Sequence, residues 1–248
     1  GHPQLKLEIS VNKPLALVAA RLCDVSPQGD SLLVSWGLFN LCHHRSHENP
    51  EPLIPNQKIQ VEFPLRACAH RLLPGHRWRL SLSTSCFPHA WPSPKLVELQ
   101  VHPGNNTFLT LPVREKNDSQ TPRFEPAESS IPLDNIILDQ ARRNRVVSRD
   151  ASNGKTVLED QNHSGRVLFQ ESGLEMEDKA SDRLEITKDH PLSMITECHR
   201  TASIGRGDWQ TRIETKSTMT SDEMNFYLEN HLEAYENEHV VFQNSWKA

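Results

Sequence analysis

The sequence predicts an all-β protein, with an antiparallel β-sandwich followed by a second antiparallel β domain. Short segments alternate apolar and polar residues with a period of two, and clusters of turn-forming residues separate them. Proline divides the chain, because 16 of the 17 prolines lie at or before Pro132. We therefore predict a sandwich over 1–115, a linker over 116–130 and a second β-rich domain over 131–248.

The first half reads as a series of short strands. LKLEISV places Leu5, Leu7 and Ile9 on one face of a strand, as expected for a strand with one buried face. KIQVEFPLRA, RWRLSLST and LVELQV alternate in the same way. LALVAARLCDV and SLLVSWGLFNL are apolar on both sides, which is typical of central sandwich strands. Since SPQGD, LPG and HPGNN supply turns between them, at least seven strands are predicted.

The second half also favours strands, although its pattern is more charged. The segment 116–130 is polar, contains proline and lacks apolar periodicity, which is typical of a linker. After it, β-branched or aromatic residues stand beside charged ones, as in a solvated sheet. The segments with this pattern are RNRVVSR, KTVLED, RVLFQ, DRLEITK, WQTRIETKSTM and HVVFQNSW.

The stretch 222–235 fits two structures. Its apolar residues recur at helical spacing, and Thr220 and Glu223 are placed as a capping box, so local signals favour a helix slightly. The same stretch also puts Met224, Phe226 and Leu228 on one face of a strand before the turn-like Glu-Asn-Glu at 236–238. Periodicity alone does not decide between them.

Composition excludes several classes of function. With 36% hydrophobic and 24% charged residues, the chain is of ordinary soluble globular type. No apolar run of about 18 residues predicts a membrane span, and no signal peptide is recognisable. The net charge is −5 without a basic stripe, so we expect no nucleic-acid partner. The five cysteines form no CxxC pair, which favours reduced thiols in a cytoplasmic protein; they are Cys23, Cys42, Cys68, Cys86 and Cys198.

No motif for catalysis or cofactor binding is present in the sequence. It contains no G-x-S-x-G elbow, no phosphate-binding GxxxxGK[ST] loop, no GxGxxG and no HExxH. The glycines of SIGRGDWQ are better explained by a tight turn before Trp209 than by a phosphate site. We therefore expect no catalytic residue, no cofactor and no resident metal in this chain.

A histidine-rich loop, CHHRSHENPEPLIPNQ at 42–57, is the one segment that invites a metal interpretation. His43 and His47 have the i, i+4 spacing of helical zinc ligands, but the prolines close behind them argue against a helix. Glu48 and Glu51 lie in the same loop, where both carboxylates should stay solvated. A metal-dependent enzyme is therefore the weakest hypothesis, and a hydrogen-bonded loop is expected.

Three separated motifs, in order, carry a family resemblance: ARLCDVSPQG, SHENPEPLIP and LPGHRWRLSLST. Over about residues 3–113 the chain resembles the C-terminal non-catalytic domain of X-Pro dipeptidyl-peptidases, cocaine esterase and related acyl hydrolases. Residues 131–248 resemble, more loosely, an extension of the longer members. In that extension the stretch 222–235 looks like a strand that turns at 236–238, so the resemblance favours a hairpin there.

The resemblance implies a jelly-roll-like sandwich that follows a serine α/β-hydrolase domain in the same polypeptide, and it leaves open whether the first jelly-roll strands lie within this chain. No triad residue can be carried over. The chain is thus expected to be inactive alone and to serve a parent enzyme of dipeptidyl-peptidase or esterase type. Assembly with further copies is left open. A free-standing jelly-roll module that binds carbohydrate or protein is the alternative.

Candidate contacts with the catalytic domain come from two loops. The first is the histidine loop, with His47 and Glu48, and the second is CFPHAWPSP at 86–94, with Phe87, His89 and Trp91. Aromatic residues on a proline-stiffened loop suit an interface. They suit a plug of the sandwich core equally well, and the sequence does not separate these two roles.

Overall fold

The computed structural model describes residues 1–114 and 123–248, and these residues are almost entirely β. The chain divides into two compact units, Gly1–Arg123 and Phe124–Ala248. The all-β prediction is confirmed. The predicted linker over 116–130 falls partly on residues 116–122, which lie outside the described residues, and 123–130 contain no helix or strand.

The first unit is a sandwich of two antiparallel sheets. One sheet has the order β4-β1-β6, with β7 also paired to β1, and the other has the order β3-β2-β5. The strands are β1 Gln4–Val11, β2 Leu17–Val25, β3 Ser31–Asn40, β4 Ile59–Pro64, β5 Arg77–Ser83, β6 Leu99–Val101 and β7 Phe108–Thr110, with a 3-10 helix at Leu41–His43 after β3.

The core of this unit lies between the two sheets. It forms because side chains alternate along a strand, so that every second residue of β1 and β2 points inward. Leu7 and Ile9 do so from β1, and Val18 and Leu22 do so from β2. Leu22 and Ile9 are 0% exposed. The alternation in LKLEISV therefore predicted the buried face of β1 correctly.

A buried carboxylate ties the loop before β5 to the sandwich. Asp24 on β2 is only 6% exposed, and it accepts hydrogen bonds from His70 Nε2 at 2.7 Å and His76 Nδ1 at 2.8 Å. The hydrogen bond from His70 and, to a lesser extent, that from His76 hold the pKa of Asp24 below its ordinary value, although burial acts to raise it. The two histidines on one segment are thus fixed to one side chain of the sheet.

The second unit contains one eight-stranded antiparallel sheet, ordered β15-β14-β13-β12-β11-β10-β8, with β9 also paired to β10. The strands are long, and each follows its neighbour in sequence from β10 onward. Their bounds are β8 Asn135–Asp139, β9 Arg142–Arg149, β10 Lys155–Phe169, β11 Leu174–Thr187, β12 His190–Arg206, β13 Trp209–Ser221, β14 Phe226–Glu236 and β15 His239–Lys247.

Both faces of this sheet carry charged side chains. The register places Ala202, Ile213, Ala234 and Phe242 in one row across β12 to β15, on one face. The other face carries charges, and Arg183 there pairs with Glu185 at 2.7 Å. Ile213 and Phe242 in this row are exposed, and the same face also carries the ion pair between Arg200 and Asp182 at 2.7 Å.

In the ambiguous stretch 222–235, a turn over 222–225 is followed by β14, Phe226–Glu236, which pairs with β15, so the hairpin prediction is confirmed and the local helix signal was wrong. Asp222 accepts hydrogen bonds from the backbone N–H groups of Met224 and Asn225, both at 2.7 Å. These bonds make a turn that ends at Phe226, where β14 begins. The Asp222 side chain thus closes the β13–β14 connection.

Candidate interdomain surface

The five predicted interface residues lie in the two expected loops of the first unit. His47 and Glu48 follow the short 3-10 helix after β3, and Phe87, His89 and Trp91 follow β5. Phe87 and Trp91 are half-buried, whereas His47, Glu48 and His89 are exposed.

The segment 86–94, the covering loop, packs on the outer face of the β3-β2-β5 sheet. Since Val18, Ala20 and Leu22 face the core, Ala19 and Arg21 point outward. Arg21 Nη2 donates to Cys86 Sγ at 3.5 Å, and Cys86 is buried. The Cys86 carbonyl accepts from the N–H groups of both His89 and Ala90, which turns the chain back across the sheet.

An aromatic stack anchors the start of the covering loop. Trp36 on β3 points outward, and its ring lies 5.0 Å from the His89 ring. The Arg66 guanidinium lies over the same indole at 4.1 Å, which is a cation–π contact. Trp36 and Arg66 were not predicted as site residues, because the apolar pattern of β3 gives no sign of which apolar side chain lies outside.

Trp91 borders an open cleft of about 390 Å³ beside the end of β3. Its walls are mainly apolar and come from β2, β3 and the covering loop. Phe87 and His89 do not line it. The lining residues are Leu15, Ala16, Leu17, Leu38, Phe39, Asn40, Cys42, Ala90, Trp91, Pro92 and Ser93.

Phe39 connects this cleft to the histidine loop. Its ring contacts His47 edge-on at 6.0 Å and stacks on Phe63 at 5.3 Å. Phe39 also lines the cleft that Trp91 borders. The cleft and the histidine loop thus share one residue, Phe39.

The histidine loop is held by hydrogen bonds. His44 Nδ1 lies 2.9 Å from the Leu41 carbonyl oxygen, and His47 Nδ1 lies 3.3 Å from His43 Nδ1. Glu51 pairs with Arg45 at 3.3 Å. Within 1–114 and 123–248, no third potential metal ligand joins His43 and His47 within 4.8 Å. The arrangement is that of a polar loop.

A family model, the X-Pro dipeptidyl-peptidase C-terminal non-catalytic domain, matches residues 1–148. The chain belongs to this family. The match extends beyond the 3–113 range expected from the motifs and includes β8 and most of β9. The domain that defines this family is non-catalytic.

Two solved structures are similar to part of this member of the X-Pro dipeptidyl-peptidase C-terminal domain family. One is an alpha-amino acid ester hydrolase, at 30% identity, and the other an aminopeptidase from the marine sediment archaeon Thaumarchaeota archaeon, at 26% identity. Each match covers 36% of this chain and 16% of the solved chain, with a TM-score of 0.35, so no conclusion rests on them. No curated protein was found to match. Among the described residues, no helix is long and apolar enough to cross a membrane.

Proposed function

We propose that this chain is the accessory, non-catalytic C-terminal region of a serine α/β-hydrolase of acyl ester or X-Pro dipeptidyl-peptidase type, which we call the parent enzyme. The family match over residues 1–148 carries this proposal. The partner is the catalytic domain of the same polypeptide, and the chain alone does not catalyse hydrolysis.

Its role in the parent enzyme is to stabilise the catalytic domain and to shape the rim of its pocket. Contacts between domains resemble modest protein interfaces and use partly apolar surface. The cleft beside Trp91, the covering loop and the neighbouring His47 offer such a surface, with aromatic rings and an adjacent charged loop. His47, Glu48, Phe87, His89 and Trp91 are the proposed contact residues.

The parent enzyme is proposed to be cytoplasmic. All five cysteines are free thiols, and a chain that carries several unpaired thiols suits a reducing compartment. The pKa of the Cys198 thiol is raised to about 11, chiefly by burial, so that thiol stays protonated and poorly reactive at neutral pH.

The interface is tested with Trp91→Ala in the parent enzyme. Trp209→Ala is the matched control, because Trp209 is the first residue of β13 in the second unit and is 50% exposed. Loss of a central aromatic contact typically costs more than about 1 kcal/mol. We expect Trp91→Ala to lower the thermal unfolding temperature and to raise KM for the hydrolysed substrate, and Trp209→Ala to leave KM unchanged. Equal effects of the two substitutions on both quantities would contradict the interface.

A further inference from the structure

A buried histidine in the second unit lies between two carboxylates. His163 on β10 is 7% exposed. Its Nε2 lies 2.8 Å from Glu177 Oε1 on β11, and its Nδ1 lies 3.7 Å from Asp139 Oδ2 at the end of β8. One ligand atom from each of the three residues can be chosen so that all lie within 4.8 Å of one another.

Local irregularity of the sheet creates this cluster. Arg166 pairs with both Asp139 and Glu177, which places the two carboxylates in one row across β8, β10 and β11. A bulge between His163 and Arg166 then brings His163 beside that row. Bulges of this kind commonly re-aim a side chain.

Gly165 in the bulge is required for the approach of Asp139. Its φ is +87°, and a Cβ there would lie 2.7 Å from the Asp139 carbonyl oxygen and 3.0 Å from the Ala141 nitrogen. Only glycine combines this backbone conformation with so close a contact.

The hydrogen bonding of His163 is incomplete. When Nε2 carries the proton that Glu177 accepts, Nδ1 is left with a lone pair. Nδ1 is fully buried and has no hydrogen-bond partner among the described residues. The Asp139 carboxylate, 3.7 Å from Nδ1, is also an acceptor. Two acceptors that face each other need a positive charge between them, and either a second proton on the imidazole or a bound cation supplies it.

Basic side chains lie beside both carboxylates. Burial works to raise the pKa of Glu177, but hydrogen bonds from Lys179 and His163 outweigh it, and the pKa lies below its ordinary value. Arg142 Nη2 lies 3.2 Å from Asp139 Oδ2, on an exposed edge where the arginine side chain can move away. Asp139 is 41% exposed, so an ion can reach it from solvent.

We propose that Asp139, His163 and Glu177 form a binding site for a divalent transition-metal ion of the Zn²⁺ type. His163 Nδ1 and the Asp139 carboxylate are the ligands, water completes the coordination, and Glu177 accepts the Nε2–H bond that fixes the imidazole. Such a carboxylate–histidine–metal arrangement orients the ring and increases its basicity as a ligand.

The distances support an ion of this size. Zn²⁺ binds nitrogen and oxygen at about 2.0–2.2 Å, so two ligands at a tetrahedral angle lie roughly 3.3–3.6 Å apart. The observed 3.7 Å between Nδ1 and Oδ2 is close to that separation. One imidazole with carboxylates suits zinc and its neighbours better than magnesium or calcium, which prefer oxygen alone. The ion would join β8 to β10.

The test is a calorimetric titration of the whole chain with Zn²⁺, in a background carrying His43→Asn and His47→Asn to remove the exposed histidine pair. We expect about one ion per chain. Affinity should fall at least about tenfold in His163→Asn and in Asp139→Asn, and by about tenfold in Glu177→Gln, in line with the effect of losing an orienting carboxylate.

His231→Asn is the matched control, because His231 lies on the same sheet near Glu233 but has both ring nitrogens occupied, Nδ1 by Ser245 at 2.8 Å and Nε2 by Glu233 at 3.3 Å. It should leave the titration unchanged. Thermal unfolding with and without Zn²⁺ gives a second readout, and the ion should raise the unfolding temperature of the background protein but not of Asp139→Asn. The proposal would be overturned if Zn²⁺ did not bind, or if Asp139→Asn and Glu177→Gln left its binding unaltered. In that case a proton on His163 Nδ1 would occupy the gap between this atom and the Asp139 carboxylate.

Discussion

At the scale of single residues, the carboxylate of Asp24 shows how one buried charge organises a loop. Its partners His70 and His76 lie 46 and 52 residues further along the chain, so no local sequence pattern predicts the contact. What the sequence does show is a single acidic residue within an apolar strand. Burial of a carboxylate without hydrogen-bond partners would destabilise the folded state. An acidic residue in an apolar strand therefore predicts that partners exist, but not which residues they are.

This contact predicts a pH dependence. Because the pKa of Asp24 in the folded protein lies below its ordinary value of 3.8, its carboxylate stabilises the folded state above that pH, and the stabilisation is lost as pH falls through the folded-state pKa. We expect Asp24→Asn to lower the urea midpoint at pH 7. The difference from the unsubstituted protein should shrink steadily below pH 3.8.

The control for this measurement is Asp208→Asn, on the exposed turn between β12 and β13. It should change the midpoint little at any pH. A constant difference between Asp24→Asn and the unsubstituted protein from pH 7 to pH 3 would show that Asp24 does not act through its charge.

At the scale of elements, the β14–β15 hairpin shows a local signal overridden by its surroundings. The apolar residues of 224–235 fit a helix, but β14 pairs along its length with β13 and β15. A strand between two partners satisfies its backbone on both sides, which a helix at this position in the sheet would not do. Asp222, whose pKa is lowered to about 2 chiefly by the hydrogen bond from Tyr227, stays ionised and supports the turn.

The turn of this hairpin depends on Asn237. Its φ is +52°, a conformation that asparagine tolerates better than most residues. Its N–H donates to the Gln210 carbonyl at 2.7 Å, and its Oδ1 accepts from the Gln210 N–H at 3.2 Å. The hairpin is therefore tied to the start of β13.

We expect Asn237→Ala to destabilise the chain by about 1–2 kcal/mol, because alanine disfavours positive φ and loses the bond to Gln210. Urea denaturation measures this change. Asn230→Ala, within β14, serves as the control and should cost less. If the two substitutions were equally costly, the turn would not be what fixes the hairpin.

Other elements were predicted with unequal success. KTVLED and RVLFQ, predicted as two strands, form the single strand β10, which the bulge between His163 and Arg166 interrupts in register only. β12 was not predicted, although it is the longest strand, with 17 residues. Because of its many polar residues and Pro191, apolar and polar residues do not alternate clearly along it. Its stability comes from pairing with β11 and β13 on either side.

At the scale of the whole molecule, the fold class and the family could be predicted from the sequence, but the cluster of Asp139, His163 and Glu177 could not. Alternation in β1 and motifs such as LPGHRWRLSLST depend on neighbouring residues, which a sequence displays directly. The contact between Asp139 and His163 depends on a bulge and on strand pairing. The contribution of Trp91 to a cleft that β2 and β3 also line depends on the path of a loop over a sheet. These are long-range features that periodicity does not encode.

The central claim, that this chain is a non-catalytic part of a serine hydrolase, is tested most directly by one comparison of activity. Hydrolysis of an X-Pro amide and of an acyl ester is measured for the 248-residue chain and for the parent enzyme at equal molar concentration. We predict turnover by the parent enzyme, abolished by a serine-reactive phosphonate, and none by the chain alone. Phosphonate-sensitive turnover by the chain alone would contradict the account.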